Sequence, residues 1–280
     1  MSPDAGPTAV PGDPGDPGDP APPEPILTLA RSARRVTVLT GAGMSAESGV
    51  ATFRDPLTGL WARFDPTDLA TPQAWRADPG LVNAWYLWRV ALVRRAQPHA
   101  GHQALAVWAA RPGVDLRLVT QNVDDLHERA GSVVLAHLHG SLFAWRCDHC
   151  ERPVPPPDPP TDAGERQRID PTPCEHCRDG RRRPGVVWFG EPLPRTAFDD
   201  AVRACLEAEL VLVVGTSGLV HPAASLPRLA AESGVPVVEI DPHPTALAAT
   251  ADHIWRAPAG TALPALVEAL GPIESADLPR

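Results

Sequence analysis

Residues 36–54 read Val-Thr-Val-Leu-Thr-Gly-Ala-Gly-Met-Ser-Ala-Glu-Ser-Gly-Val-Ala-Thr-Phe-Arg. A β-branched apolar run stops at small residues, and the chain restarts in a helix-compatible stretch. A parallel strand delivers backbone N–H groups to a phosphate in this way, because side-chain-poor residues such as Gly41, Ala42, Gly43 and Ala46 let a ligand approach the main chain at a helix N-terminus. The spacing is G-x-G-x-x-A, a permitted form of the dinucleotide fingerprint. A plain strand-turn-helix corner accounts for the same loop, so its meaning depends on what surrounds it.

Working outward, three more apolar runs end as abruptly: Leu116 to Thr120, Leu210 to Val214 and Val235 to Ile240. Uniform hydrophobicity without alternation marks strands buried on both faces, as in a parallel sheet. The loops that follow are Gln121-Asn122-Val123-Asp124, Gly215-Thr216-Ser217-Gly218 and Asp241-Pro242. Helix-compatible stretches such as Gly101 to Ala110 and Ala197 to Glu209 lie between the strands. This alternation predicts an α/β fold with a doubly wound, Rossmann-like parallel sheet. Ligands bind outside the carboxyl ends of such strands, so the four loops are expected to share one crevice.

Two regions break the rhythm. Residues 55–98 hold Trp61, Trp75, Trp85, Trp88 and the single Tyr, with helical apolar spacing from Leu81 to Val93, and predict a helical insertion. Residues 144–183 are Pro-rich and poor in apolar side chains, and they carry Cys147-x-x-Cys150 and Cys174-x-x-Cys177. Two such knuckles, 23 residues apart, suit a tetrahedral zinc ion held by four thiolates. That ligand set leaves no open position for water, which makes the metal structural. His149 and His176 lie inside the knuckles as alternative ligands. Disulfides are the competing reading. Cys205 falls in a helical pattern and reads as a buried thiol.

Composition excludes several classes. The chain has 280 residues and is 43% hydrophobic, enough for a full core. It has no apolar run long enough to cross a membrane and no secretory leader pattern, so a cytoplasmic protein with no membrane partner is expected. The first 26 residues include Asp4, Asp13, Asp16, Asp19 and Glu24, no Arg, and Gly-Asp-Pro three times; they read as an unstructured tail. Removing those five charges from the formal −9 leaves −4, so no nucleic-acid surface is expected. Arg181-Arg182-Arg183 reads as a solvated face. Every basic residue is Arg, so the protein has no lysine of its own to carry an acyl group.

Among the ten histidines, His139 follows the apolar run Val133 to Leu138 and precedes Gly140. A His at a strand end can present its imidazole to the crevice as a general base; a satisfied structural His is the alternative. Gln121, Asn122 and Asp124 offer amide and carboxylate groups suited to ribose hydroxyls and a carboxamide, or to capping a helix.

Together these pieces resemble the sirtuin family of NAD-dependent protein-lysine deacylases. The resemblance rests on the Gly41 to Gly49 loop with Thr52-Phe53-Arg54, Thr120 to His127, His139-Gly140-Ser141, the double CxxC, Val187-Trp188-Phe189-Gly190-Glu191 and Gly215-Thr216-Ser217, in the family's order. It implies a catalytic domain over 27–272, with a Rossmann-like core at about 27–54, 99–143 and 184–272, the helical insertion at about 55–98 and the zinc module at about 144–183. It implies that NAD is consumed as co-substrate. The substrate's amide oxygen attacks the nicotinamide ribose, nicotinamide leaves, and an alkylamidate collapses to free lysine and O-acyl-ADP-ribose. His139 would be the general base, with Asn122 and Asp124 at the ribose and nicotinamide ends and Gln121 supporting the ribose. The glycine loop, Ala46, Glu47, Thr52, Phe53, Arg54, Trp61, Gly215, Thr216 and Ser217 would hold the cofactor. Asp241 stands where the family usually has Asn on the adenosine ribose, and Ala259 falls in a loosely matching adenine contact. An acylated-lysine protein or peptide would pair with Val187 and Phe189-Gly190-Glu191 on one side and with a Gly218-Leu219-Val220 strand on the other, a form of β-augmentation. Nothing specifies an oligomer, and a monomer is compatible with the sequence.

Tyr86 and Arg89 are i and i+3 on one predicted helix and share a face. A half-buried Tyr beside a snorkelling Arg is the plain reading of the pair. The same pair occurs in the class III branch of sirtuins, as does a stretch like Asp68-Leu69-Ala70-Thr71-Pro72. That likeness implies an acyl pocket widened at Ala70, in which Tyr86 and Arg89 bind the distal carboxylate of succinyl- or malonyl-lysine, with deacetylation retained. Mono-ADP-ribosyl transfer uses the same NAD cleavage and is the alternative activity. Hydride transfer fits poorly, because residues 55–75 lack the second strand and its acidic residue.

Overall fold

The structure, a computed structural model, describes residues 21–50, 61–62, 64–162 and 167–272. Thr52, Phe53 and Arg54 lie outside the described residues. A six-stranded sheet forms the centre, built from β1 (Arg35–Thr40), β2 (Asp115–Thr120), β3 (Val134–His137), β7 (Leu210–Val214), β8 (Val237–Ile240) and β9 (His253–Trp255). Its order is β3-β2-β1-β7-β8-β9 and every pairing is parallel.

The apolar runs are uniform because both faces are covered. Val36 and Val38 of β1 join a cluster with α1 (Glu24–Ser32), α6 (Ala100–Ala109) and α10 (Ala259–Ala269), while Leu39 points to the opposite cluster with α8 (Arg195–Glu207) and α9 (Leu226–Glu232). The period-2 side-chain alternation of a strand sends neighbours to opposite faces. Helix α1 starts at Glu24 and buries Ile26 and Leu27, which corrects the reading of residues 24–26 as tail; a moderately amphipathic turn outweighs the Pro-rich composition before it. β9 has three residues, too few for a periodic signal.

A second lobe holds α3 (Pro66–Leu69), α4 (Pro72–Ala77), α5 (Pro79–Arg95) and an antiparallel sheet of β4 (Gly140–Cys147), β5 (Pro153–Val154) and β6 (Arg182–Val186). Its helices start by one chemistry. Asp65, Thr71 and Asp78 each precede a Pro at the first helical position, and each side chain accepts from a backbone N–H inside the helix, at 2.8, 3.0 and 3.1 Å. The lobe's core is aromatic and buries Trp61, Trp75, Trp85, Tyr86 and Trp188. Two short helices, α2 (Ala42–Ala46) and α7 (Leu126–Arg129), follow β1 and β2.

The small sheet has little apolar side chain of its own, and its cluster is Leu87, Trp145 and Val154 packed on cysteines. Cys147, Cys150, Cys174 and Cys177 place their sulfurs within 4.8 Å of one another. Cys147 Sγ is 3.6 Å from Cys177 Sγ, and Cys150 Sγ is 3.9 Å from Cys174 Sγ. All four are free thiols, and a tetrahedron with Zn–S of about 2.3 Å has edges of about 3.8 Å. The sulfurs also accept backbone N–H groups, from His149 and Cys150 to Cys147 and from His176 to Cys174. This donor set fits one structural Zn²⁺, and neither His149 nor His176 belongs to the cluster.

Three histidines stack beneath the loop after β1. His99 donates from Nε2 to the Met44 carbonyl at 2.6 Å and accepts at Nδ1 from Gly101 N–H. The His102 ring lies 4.2 Å from that of His99 and 4.9 Å from that of His127. His102 is wholly buried, and neither of its nitrogens has a partner among the described residues. Burial drives the pKa of His102 down to about 2 and that of His127 to about 4.

Two outcomes follow from this architecture. Emptying the cysteine cluster with a strong chelator should release one zinc per chain, lower Tm and redshift Trp145 fluorescence, and zinc should restore all three. Metal release with Tm unchanged would count against a clamp. The second concerns acid. An unfolded His binds a proton below about pH 6.5, whereas folded His102 and His127 do not until about 2 and about 4. The stability they contribute is therefore complete above pH 6.5 and lost as pH falls. Each has a limiting slope of about 1.4 kcal/mol per pH unit, about 2 to 3 kcal/mol together between pH 6 and 5. His137, whose pKa the Glu128 carboxylate at 2.6 Å helps raise despite burial, changes its contribution above pH 6.5 and does not cancel this. Denaturant titrations should show the fall; a flat stability across that interval would contradict it.

Candidate active site

The carboxyl ends of β1, β2, β7 and β8 open onto one cavity of about 580 Å³ between the two lobes. Strand order reverses between β1 and β7, so the loops that follow them diverge and leave a crevice. The two loops meet main chain to main chain. Gly43 N–H donates to the Gly215 carbonyl at 2.8 Å. A Cβ at Gly43 would come 2.8 Å from Gly215 Cα, and one at Gly41 would come 2.7 Å from the Gly215 oxygen. Ala42, Gly43, Ala46, Glu47, Gly215, Thr216 and Ser217 all line the cavity. Gln121 ties the β2 and β7 ends by donating from Nε2 to Thr216 Oγ1 at 3.1 Å.

On the β2 side a directed hydrogen-bond chain sets the polar groups. Asn122 Nδ2 donates to the Gly41 carbonyl and to Ser45 Oγ, both at 3.0 Å. Ser45 then donates to Asp124 Oδ2 at 2.9 Å, and Leu126 N–H donates to Asp124 Oδ1 at 3.1 Å. Burial raises the Asp124 pKa against those two bonds. Below this row, Thr40 Oγ1 contacts His127 Nε2 at 3.0 Å and donates to Thr120 Oγ1, which accepts Asn122 N–H. Sequence reasoning gave no role to Ser45 or His127; both sit inside quoted motifs, but a hydroxyl and a buried imidazole carry no periodic signal.

His139 lies in the turn between β3 and β4 and faces the cavity. Its Nδ1 is 3.0 Å from the Gln121 carbonyl. A carbonyl only accepts, so the neutral ring carries its proton on Nδ1 and keeps a lone pair on Nε2. Burial lowers the His139 pKa, and the bond to Gln121 opposes this in part. Near neutral pH the ring is therefore a base.

The β8 end is organised by residues the sequence did not single out. Arg256 donates to buried Glu239 at 2.9 Å and to the carbonyls of Asp241 and His243, which shapes the loop over 241–245. Asp241 reaches the cavity, accepts His243 N–H at 2.9 Å, and has its pKa raised by burial. Ala259 lines the same end, beside Gly260, whose N–H donates to Glu47 Oε2 at 2.6 Å; Glu47 thus caps α10.

On the second lobe's side, Ala70, Arg89, Val187, Phe189, Gly190 and Glu191 line the cavity, and Val220, in the loop after β7, lines it from the large sheet. The Arg89 guanidinium lies 5.1 Å over the Trp85 ring, and desolvation lowers its pKa. Two of the expected wall residues pack deeper, and two expectations need correction. Trp61 is 1% exposed in the aromatic core, near Phe64 and Trp88, and is not among the described residues that line the cavity. Tyr86 is fully buried one layer behind the wall, its hydroxyl accepting the Trp188 indole N–H at 2.9 Å. Gly218-Leu219-Val220 is not a strand, because Gly218 holds a left-handed φ of 70° and no strand among the described residues pairs with it. Arg183 is buried, not solvated: it takes Glu191 with both η nitrogens, at 2.7 and 3.1 Å.

The cavity's shape and donors fit a dinucleotide lying across the strand ends, and its relatives agree. Residues 41–222 match the Sir2 family. A protein named NAD-dependent protein deacylase from Corynebacterium glutamicum is 50% identical over 248 residues, covering 86% of this chain and 93% of its own. One of the same name from Mycobacterium tuberculosis is 50% identical over 238 residues, covering 84% and 98%. Among solved structures, a Sir2 homologue in complex with NAD superposes with a TM-score of 0.81 at 44% identity, covering 89% of this chain and 93% of its own. A Sir2–p53 peptide–NAD⁺ complex gives 0.76 at 27%, covering 88% and 97%. Matched over most of its length and at half identity, this chain belongs to the Sir2 family.

Proposed function

We propose that this chain, as an NAD-dependent protein deacylase of the Sir2 family, removes acidic acyl groups, succinyl and malonyl, from protein lysines and removes acetyl less efficiently. The observation that carries the proposal is Arg89, a guanidinium on the wall of the cavity that also contains His139. A charged group kept out of water gains most from a ligand that brings the opposite charge. A carboxylate at the end of the acyl chain can engage it bidentately, which a neutral acetyl cannot. Ala70 contributes only a methyl to the same wall, leaving length for a longer acyl group.

NAD held along the strand ends would supply an electrophilic ribose carbon for the acyl oxygen, with nicotinamide as the leaving group. The roles of the protein's groups follow from their positions. His139 Nε2 accepts a proton from a ribose hydroxyl, and Nδ1–H stays on the Gln121 carbonyl, which keeps the lone pair aimed into the cavity. Asn122 and Asp124, immobilised through Ser45, hold the ribose and nicotinamide end. Gly41, Ala42, Gly43, Thr216 and Ser217 receive the phosphates, while Asp241 and Ala259 receive the adenosine end. The substrate peptide lies extended along Val187 and Phe189-Gly190-Glu191, and it brings order to Gly218-Leu219-Val220 by pairing with it. Glu191 contributes main chain only, since its carboxylate is held by Arg183. A cytoplasmic location suits a cluster of four reduced thiols.

Nicotinamide release from acetyl-, malonyl- and succinyl-lysine peptides of one sequence tests this directly. Arg89→Met should lower kcat/KM for the succinyl peptide by roughly 10- to 100-fold, matching about 1.5 to 3 kcal/mol for a charge-assisted bond, and leave acetyl turnover far less affected. Equal losses on both peptides would remove Arg89 from the specificity role. Label from radioactive NAD appearing on protein, without acyl transfer, would favour ADP-ribosylation instead.

His139→Ala should cost about 10²- to 10⁴-fold in kcat. Because the folded pKa is depressed and the neutral ring is the active form, the acid limb of the wild-type profile should fall below the ordinary His value of about 6.5. A limb above that value would assign it to another group.

A further inference from the structure

His137 ends β3 and His139 follows it two residues on. Each turns its Nδ1 toward a carbonyl of the loop after β2, His139 toward Gln121 at 3.0 Å and His137 toward Asn122 at 3.4 Å. Their second nitrogens meet different surroundings. His139 faces the cavity, whereas His137 Nε2 contacts Glu128 Oε1 on α7 at 2.6 Å, and His137 is not among the described residues that line the cavity. Burial pushes the Glu128 pKa up, but the bond to His137 and the nearby imidazoles hold it below the usual range, so the group is a carboxylate near neutral pH. A carbonyl and a carboxylate both only accept. An imidazolium, with a proton on each nitrogen, is therefore the one form of His137 that satisfies both contacts. One loop is thus held by two imidazoles in opposite states, neutral at His139 and cationic at His137.

We infer that His137 is a positioning residue for the NAD-cleaving step: its imidazolium fixes the Asn122 carbonyl, and loss of one proton releases that carbonyl and sets an alkaline limit on activity. This rests on the reading above in which Asn122 holds the ribose and nicotinamide end. The break has a direction. A neutral ring keeps its one N–H on Glu128, the closer and charged acceptor, and Nδ1 then turns a lone pair to the Asn122 carbonyl. Asn122 is also the residue whose Nδ2 donates to Gly41 and Ser45, at the head of the chain that ends on Asp124. The charges around His137 favour the cation. The loop after β2 brings Asp124, and α7 brings Glu128 and a neutral His127, while Arg129 of the same helix is paired with Asp125 at 3.6 Å. β2 carries its own charges, Asp115 and Arg117, at its far end. On α8, packed on β3, the charges are engaged in Arg195–Asp199 at 3.6 Å, Arg203–Asp200 at 3.5 Å and Glu207–Arg117. Burial lowers the His137 pKa, but the Glu128 carboxylate, the Asn122 carbonyl and Asp124 outweigh it and raise the pKa above the ordinary value.

The experiment follows single-turnover nicotinamide release from an acetyl-lysine peptide against pH, at saturating NAD, with the full chain and zinc bound. A neutral acyl group keeps the result independent of acyl selectivity. The wild-type rate should climb as His139 loses its proton and then fall about 3- to 10-fold to a lower plateau at higher pH, the range for one weak hydrogen bond. His137→Gln cannot titrate and should show the acid limb without the alkaline one. Glu128→Gln should move the alkaline limb to lower pH, because the carboxylate that helps raise the His137 pKa is gone; a merely structural contact would not give that shift. In the wild-type protein the His137 Cε1–H resonance should titrate with the same midpoint as the limb, above 6.5. An alkaline limb that is absent from the wild-type profile or stays in place in both variants, or a His137 midpoint at or below 6.5, overturns the inference. Asn122→Ala run beside them separates the two claims. Nicotinamide release unchanged in Asn122→Ala overturns the reading of Asn122, and the inference with it, whereas a large loss there beside an unmoved limb overturns the positioning role alone.

Discussion

The contact on which the site depends is the one between two pieces of main chain, Gly43 N–H on the Gly215 carbonyl at 2.8 Å. It joins the loops after β1 and β7 at the place where the sheet changes winding direction. Any side chain there would push them apart, since Cβ atoms at Gly41 and Gly43 would lie within 2.7 and 2.8 Å of the facing loop. Gly215 also holds a φ of 61°, in the left-handed region that favours glycine. With the loops closed on each other, the Gly41 carbonyl is placed to accept from Asn122, and the Thr216 hydroxyl to accept from Gln121. Three strand ends are thereby locked into one wall.

What that wall presents to a ligand is decided one layer down. The row His127, Thr40, Thr120, Asn122, Ser45, Asp124 is a continuous set of hydrogen bonds in which Ser45 must accept from Asn122 and donate to Asp124. A serine hydroxyl has one proton, so the direction of the chain fixes Asp124 Oδ2 as an acceptor. The same buried layer contains His102 and His127, two imidazoles kept neutral by desolvation and by the charges of neighbouring imidazoles, packed beside His99, whose ring is held by the Met44 carbonyl and the Gly101 N–H. Such groups subtract stability in acid, and they persist here directly beneath the groups that line the cavity. The hydrogen-bonded row from Thr40 to Asp124 above them orients its members more tightly than apolar packing can.

The parallel sheet was legible in the sequence because its strands are buried on both sides, and that constraint writes itself as uninterrupted Val and Leu. The zinc cluster was legible because four thiolates need fixed spacing, and His139 because it follows an apolar run at a glycine. What the sequence hid has a common cause. The burial of Trp61, Tyr86 and Arg183 comes from tertiary packing, and no periodicity of a single element reports it. Trp61 packs against Phe64 and Trp88. Arg183 sits in a run of three arginines that looks solvated, yet Arg181 is exposed and Arg182 only partly enclosed while Arg183 alone turns onto Trp188. Gly218-Leu219-Val220 was expected as a strand, but a strand needs a partner, and in this chain the partner is the substrate's own backbone under the proposed function.

The second lobe is held together by more than its aromatic core. Trp75 on α4 donates from its indole to Asp148 inside the first cysteine knuckle at 2.8 Å, and Asp148 accepts Arg181 N–H just before β6 begins. The metal cluster therefore sets where β6 starts, and two residues on is Arg183, the cation beneath Trp188. From there the indole N–H of Trp188 reaches the Tyr86 hydroxyl on α5, the helix that places Arg89 on the cavity wall. A closed tetrahedral site cannot take part in chemistry, since it has no free coordination position. It can fix the register of the strand that carries Arg183, through Asp148 and through the pairing of β6 with β4, which itself ends on Cys147.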